Sequence, residues 1–257
     1  MSKVGFILAS SDNSTLIVNR FDYKTHGDHT FGVGHFLLED GTYEPLEAAV
    51  ALQVLNARRE HFGDGVVALD CGANIGALTV KWAKAMTGWG GVMAIEPQER
   101  IYYALCGNIV INNCFNACTL HAALGAENGT IDIPQPNYLQ PGSFGSLELR
   151  LSGTTEYIGQ QVDYTHKVPV QLLTIDKLDL SRVDFVKIDV EGMELEVLAG
   201  AKETLERSHP VIMVEHIKTK KDTLKEVLSG YGYIGYEIGL MNYLAIHADD
   251  PTRSLVK

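Results

Sequence analysis

The stretch from Val66 to Met86 limits the fold of this chain more than any other. A compact apolar run, Val66 to Leu69, leads into Asp70-Cys71-Gly72-Ala73-Asn74-Ile75-Gly76, after which Ile75, Leu78, Trp82 and Met86 recur at helical spacing. A buried strand that turns through a glycine loop into a helix is the opening unit of a parallel α/β sheet. Ligands of such sheets sit at the carboxyl ends of the strands, where this loop lies.

The unit repeats. Val92 to Ile95 predicts a second strand ending in Glu96-Pro97, Ile101, Leu105, Asn108 and Asn112 follow at helical spacing, and Thr119 to Leu124 predicts a third strand. From Gly129 to Thr174 the rhythm breaks at Pro134, Pro136, Pro141 and several glycines, with strand-like pieces at Ser146 to Leu151 and Lys167 to Leu172. This predicts a β-rich insertion over one end of the sheet. The alternation then resumes with a strand at Asp184 to Ile188, a helical stripe of Leu195, Leu198, Ala201 and Leu205, and a strand at Val211 to Val214. Leu224, Val227 and Leu228 predict a short helix, and Tyr233 to Ile238 with Tyr243 to His247 an antiparallel hairpin. Residues 1–62 are expected to form an N-terminal cap segment with a helix near Pro45 to Glu60, and residues 63–257 the main domain.

Charge narrows the partners. The net charge of −11 repels a phosphate backbone, so nucleic acid is not an expected partner. No apolar run approaches the roughly 20 residues that span a bilayer, and the run Val4 to Ala9 is too short for a signal-peptide core, so a cytoplasmic protein is expected. Cys71, Cys106, Cys114 and Cys118 then read as free thiols. Cys114, Cys118 and His121 have metal-ligand chemistry but lack a fourth ligand at suitable spacing.

The glycine loop alone marks a nucleotide-type ligand. A dinucleotide site uses Gly-x-Gly-x-x-Gly, whereas here the glycines fall at 72 and 76, with Asn74 between them. Asp70 stands before the loop, and Asp189 and Glu191 close another central strand. Like charges a few ångströms apart cost on the order of several kcal/mol in a partly shielded cleft, so these carboxylates favour the cationic S-adenosylmethionine (SAM) over a pyrophosphate. Glu96 ends the next strand, where a carboxylate accepts both ribose hydroxyls; its alternative role is to stabilise the following helix dipole. The expected SAM contacts are Asp70, Gly72, Ala73, Asn74, Ile75, Gly76, Glu96, Pro97, Asp189 and Glu191.

These pieces together resemble the FkbM-type SAM-dependent methyltransferases. The matching motifs are Asp70 to Gly76, Ala94-Ile95-Glu96-Pro97, Val186-Lys187-Ile188-Asp189-Val190-Glu191-Gly192, Val197-Leu198-Ala199-Gly200-Ala201 and Val214-Glu215-His216. Gly41-Thr42-Tyr43-Glu44-Pro45 looks like the family's opening segment, and the likeness runs over about residues 40–247. Cys71 departs from the small aliphatic residue more usual there. The resemblance implies a Rossmann-like class I fold: a seven-stranded, mostly parallel sheet with an antiparallel strand at its edge and helices on both faces. It also implies O-methylation of a hydroxyl on a sugar, glycolipid or polyketide-like small molecule.

A hydroxyl acceptor has to lose its proton to a base or to a metal. Asp189, Glu215 and His216 are the candidate catalytic residues, with His216 the expected base because its ordinary pKa is near neutrality. The same three could hold a divalent metal, since strand-end acids bind Mg²⁺ in catechol-type O-methyltransferases. His26, His29 and His35 could line an acceptor entrance, and Lys218, Lys220 and Lys221 form a basic patch near the expected mouth. The tyrosines between 231 and 243 are expected to support the edge hairpin. A non-catalytic SAM sensor or scaffold on the same fold is the rival reading, and an NAD-linked dehydrogenase a more distant one. A homo-oligomer is left open.

Overall fold

A computed structural model of the chain describes residues 3–12 and 14–256. The N-terminal part contains two antiparallel strand pairs, β1 (Phe6–Ser11) with β2 (Ser14–Asn19) and β3 (Lys24–His26) with β4 (His29–Phe31). Helices α1 (Val33–Glu39) and α2 (Pro45–Phe62) follow. The alternating region then runs β5 (Val66–Cys71), α3 (Ala77–Ala85), β6 (Gly90–Ile95), α4 (Glu99–Ile111) and β7 (Ala117–Leu120). Next come β8 (Ala123–Leu124), β9 (Gly129–Pro134) and β10 (Lys167–Leu173), which form a separate three-stranded sheet in the order β8-β10-β9. Last come β11 (Phe185–Ile188), α5 (Glu194–Ala199), α6 (Lys202–Ser208), β12 (Val211–Glu215), α7 (Lys221–Gly230), β13 (Tyr233–Ile238) and β14 (Asn242–His247).

The main sheet has seven strands in the order β13-β14-β12-β11-β5-β6-β7. The five strands from β12 to β7 are parallel, and β14 runs antiparallel to both β12 and β13. Chain order reverses between β5 and β11, which opens a crevice at their carboxyl ends. Each face of the sheet carries its own core. Val66, Ala68, Val92, Ala94, Phe185, Val211 and Met213 face a cluster with Trp82, Leu55 and Leu105, while Leu69, Ile95, Val186, Ile188, Ile212 and Val214 face Val197, Leu198, Leu205 and Leu224. The first cluster also takes Leu16, Val18, Leu37, Ala51 and Val54, so the N-terminal segment shares this core.

Three stretches differ from the sequence expectation. Thr119 to Leu124 is two strands, because the chain leaves the main sheet at His121, whose ring stacks on Tyr102 with centroids 5.0 Å apart; Ala123 and Leu124 then pair with β10. Ser146 to Leu151 forms no strand. Its alternation is genuine, with Leu147 and Leu149 buried, but none of the described strands pairs with it, and the Glu148 carboxylate instead accepts the Glu156 N–H at 2.9 Å. The stripe from Leu195 to Leu205 is broken at Gly200 into α5 and α6. A side chain at Gly200 would collide with the Gly125 carbonyl, and the Asp176 carboxylate caps α6 by accepting the Glu203 and Thr204 N–H groups at 3.0 and 2.8 Å.

Candidate active site

Strand parity decides which side chains meet at the carboxyl edge of the sheet, because successive residues of a strand point to opposite faces. Asp70 continues the face of Val66 and Ala68, Glu96 that of Val92 and Ala94, Lys187 and Asp189 that of Phe185, and Glu215 that of Val211 and Met213. All five line one cavity of about 710 Å³ over the crevice. His216 follows the parity of Ile212 and Val214 and lies on the other face. Its imidazole is 3.8 Å from the Glu237 carboxylate, outside the cavity, while its neighbours Glu215 and Ile217 line it. The expected grouping of Asp189, Glu215 and His216 is therefore not formed. The group of possible metal ligands among the described residues is Asp189, Glu191 and Glu215, each offering an oxygen within 4.8 Å of the others.

The glycine loop is shaped by the protein's own packing. Gly72 has φ 81°, and a Cβ there would run into the Asp189 carbonyl, so this glycine lets β5 and β11 end side by side. A Cβ at Gly76 would meet Leu105 of α4. Gly72, Ala73 and Asn74 line the cavity; Ile75, which is 1% exposed, belongs to the core beneath. The Glu96 carboxylate fastens the loop: one oxygen accepts the Asn74 N–H at 3.0 Å and the other the Gln98 N–H at 2.8 Å. Gln98 is the N-cap of α4, so Glu96 serves the helix start and also faces the cavity beside Pro97. Burial pushes its carboxyl up to about 7.

Lys187 is the principal residue that sequence reasoning missed. It sits in the central strand, paired in register with Asp70, and its ammonium lies 2.7 Å from Asp189. Neighbouring carboxylates at Asp189, Glu44 and Asp70 hold it above the ordinary lysine range against the opposing effect of burial. A lysine inside an otherwise apolar strand run was the available signal. The acidic site is thus partly compensated at its centre. Asp70 itself accepts a hydrogen bond from the Thr79 hydroxyl, and burial raises its carboxyl above the usual range.

Asp189 does not cap a helix: α5 begins at Glu194 with Met193 as N-cap, and the Glu194 carboxylate accepts the Gly192 N–H at 2.9 Å. Glu191 pairs with Lys218, yet burial and the Asp189 charge push its carboxyl up to about 8. Burial, then Asp189 and Glu191, push Glu215 up to about 10. Like charge crowded into a buried site favours the protonated forms of Glu191 and Glu215.

Two of the three lysines of the expected basic patch are paired with carboxylates. Lys218 turns inward to Glu191 and Glu156 and donates to the Ser146 carbonyl at 2.8 Å, and Lys221 pairs with Glu237 at 2.6 Å. His26 and His29 are exposed and His35 half-buried; none of them lines the cavity, whereas Phe31 and Phe36 from the same stretch do. Phe31, Ile217 and Met241 leave an exposed apolar rim, 45%, 55% and 42% accessible. Tyr233 and Tyr243 are buried in the sheet, as expected of hairpin supports. Cys114, Cys118 and His121 do not converge: Cys114 is buried near the Val80 carbonyl, Cys118 is exposed, and His121 faces the Pro97 carbonyl at 3.0 Å.

Comparison with known proteins shows the family of the chain. Residues 70–234 match the model of the methyltransferase FkbM domain. The chain belongs to the FkbM family of SAM-dependent methyltransferases. It is 24% identical over 188 residues to "Methyltransferase 1" of Beauveria bassiana, covering 67% of this chain and 74% of that protein. It is 28% identical over 157 residues to "Methyltransferase sdnD" of Sordaria araneosa, covering 52% of this chain and 60% of that one. Among solved structures, monomeric WbdD shares the fold with a TM-score of 0.51 at 10% identity, covering 88% of this chain and 46% of WbdD. The FkbM methyltransferase from Methylobacillus flagellatus KT gives 0.47 at 16% identity, over 79% of this chain and 56% of that one.

Proposed function

We propose that the chain methylates a hydroxyl group of a small molecule or glycan at the cavity above β5 and β11. The observation that carries this reading is the shared position of Glu96, the glycine loop and the Asp189, Glu191 and Glu215 carboxylates around one cavity. When bound there, SAM supplies an electrophilic methyl group. The fit is supported by the donor set: Glu96 keeps further acceptor capacity toward ribose hydroxyls, and the carboxylates suit a cation. Gly72, Ala73, Asn74 and Pro97 would form the wall around the nucleoside.

The chain's own part in the reaction is to orient the acceptor and take its proton. The Asp189, Glu191 and Glu215 cluster replaces His216 as the proposed base. A carboxyl near 8, as at Glu191, is better matched to accepting a hydroxyl proton than an ordinary glutamate. Phe31, Ile217 and Met241 would receive the apolar part of a sugar, glycolipid or polyketide-like acceptor. A cytoplasmic location belongs to the same proposal; no helix among the described residues is long and apolar enough to cross a membrane.

A divalent cation at Asp189, Glu191 and Glu215 is the second reading, favoured by their convergence within 4.8 Å. An all-oxygen set suits Mg²⁺, although Lys187 and Lys218 already engage two of the three. Incubation with labelled SAM and a panel of sugar, lipid and polyketide hydroxyls, with and without EDTA dialysis, tests both. Label on an amine or protein side chain would refute O-methylation. Unchanged turnover after EDTA would remove the metal.

A further inference from the structure

Glu44 lies upstream of the segment that matches the family model, in the turn that opens α2. It occupies the N-cap position, yet its side chain caps nothing. Its backbone is left-handed, at φ 44°, a conformation that non-glycine residues avoid. Its Oε2 atom is buried and has no hydrogen-bond partner among the described residues, the adjacent Tyr43 hydroxyl being the one protein donor that acts on the carboxyl group. The carboxylate nevertheless lines the cavity with Asp70, Lys187 and Asp189. Burial pushes it up to about 7, with Lys187 pulling the other way.

A buried acceptor without a donor costs stability unless a ligand or water supplies one. The missing group has to carry N–H or O–H, and a carboxylate prefers a charged donor. A sulfonium has no proton to give. The α-ammonium of SAM has three. The segment carrying Glu44 stands beside Lys187, whose register partner Asp70 begins the glycine loop, so the carboxylate faces the cosubstrate side of the cavity.

We infer that Glu44 binds the α-ammonium of the methyl donor and that the N-terminal segment thereby completes the cosubstrate site. The inference rests on the SAM reading of the cavity. It makes Glu44 a binding residue, kept in a strained turn because the turn aims its carboxylate inward.

Two probes isolate the contact. S-Adenosylhomocysteine keeps the α-ammonium and lacks the sulfonium; 5′-methylthioadenosine lacks the whole amino-acid portion. Both are titrated calorimetrically into the full chain and into Glu44→Gln and Glu44→Gly. Each variant should bind S-adenosylhomocysteine about tenfold or more weaker, the size expected of a lost charged hydrogen bond, and methylthioadenosine within about twofold of wild type. Glu44→Gly should melt no lower than wild type, because glycine adopts positive φ freely. Equal loss for both probes, or unchanged S-adenosylhomocysteine affinity in both variants, would overturn the inference alone. Failure of the wild-type chain to bind either probe would overturn the SAM reading with it.

Discussion

Lys187 shows how much one buried charge decides. Its ammonium is the counter-charge for Asp189 and lies beside Asp70 and Glu44. Lys187→Met should destabilise the protein by about 3–5 kcal/mol in denaturant unfolding, since it leaves buried carboxylates without compensation. The loss should shrink as pH falls below about 7, where Glu44 takes up its proton, and a pH-independent loss would assign Lys187 to packing alone. Glu215 and His216 differ by one residue and by a face of the sheet. With an acceptor in hand, Glu191→Gln should lower kcat by at least about tenfold, as expected for a general base on the cavity face, whereas His216→Ala should change it little. The reverse pattern would restore the histidine as base. Activity should climb with pH toward about 8, as the proton held at Glu191 is lost.

The elements hold this arrangement through a few buried polar contacts between distant parts of the chain. Asp22, between β2 and β3, accepts the Gly34 N–H of α1 at 3.0 Å and the Phe144 N–H of the insertion at 2.9 Å. Burial pushes its carboxyl up to about 6 despite both bonds. Asp22→Ala would leave two buried N–H groups unsatisfied, at roughly 1–3 kcal/mol each. Limited proteolysis should then cut between residues 141 and 166 sooner than in wild type; unchanged cutting would show that the insertion is anchored elsewhere. The strand and helix pattern from Val66 onward was legible because burial on both sheet faces writes itself as apolar runs and stripes. The insertion was not: Leu147 and Leu149 alternate like a strand, but strand formation needs a partner that a local pattern does not contain. The site was half legible. Motif order exposed Asp70, Glu96 and Asp189. Counting parity along Val211 to Glu215 would have separated Glu215 from His216. Lys187 left a trace as a lysine in an apolar run, but Glu44 needed three dimensions, since the charges it meets at Lys187 and Asp189 lie more than a hundred residues along the chain.

Across the whole molecule, the N-terminal segment and the sheet share one core, and the cavity closes only with residues from both. The site also carries a stability cost. Glu96 is raised from an ordinary 4.5 to about 7, so the folded protein holds its proton more tightly than the unfolded chain, and this contribution to stability is lost as pH rises from about 4.5 through 7. Glu96→Gln should therefore gain stability relative to wild type over that window, and a gap independent of pH would contradict the burial assigned to this carboxylate. The same variant serves the most direct measurement of the account's central claim, titration of the full chain with S-adenosylhomocysteine by calorimetry. The account predicts micromolar binding by wild type and a loss of about tenfold or more in Glu96→Gln, the size of a charged hydrogen bond. No binding by wild type, or equal binding by the two proteins, would contradict it.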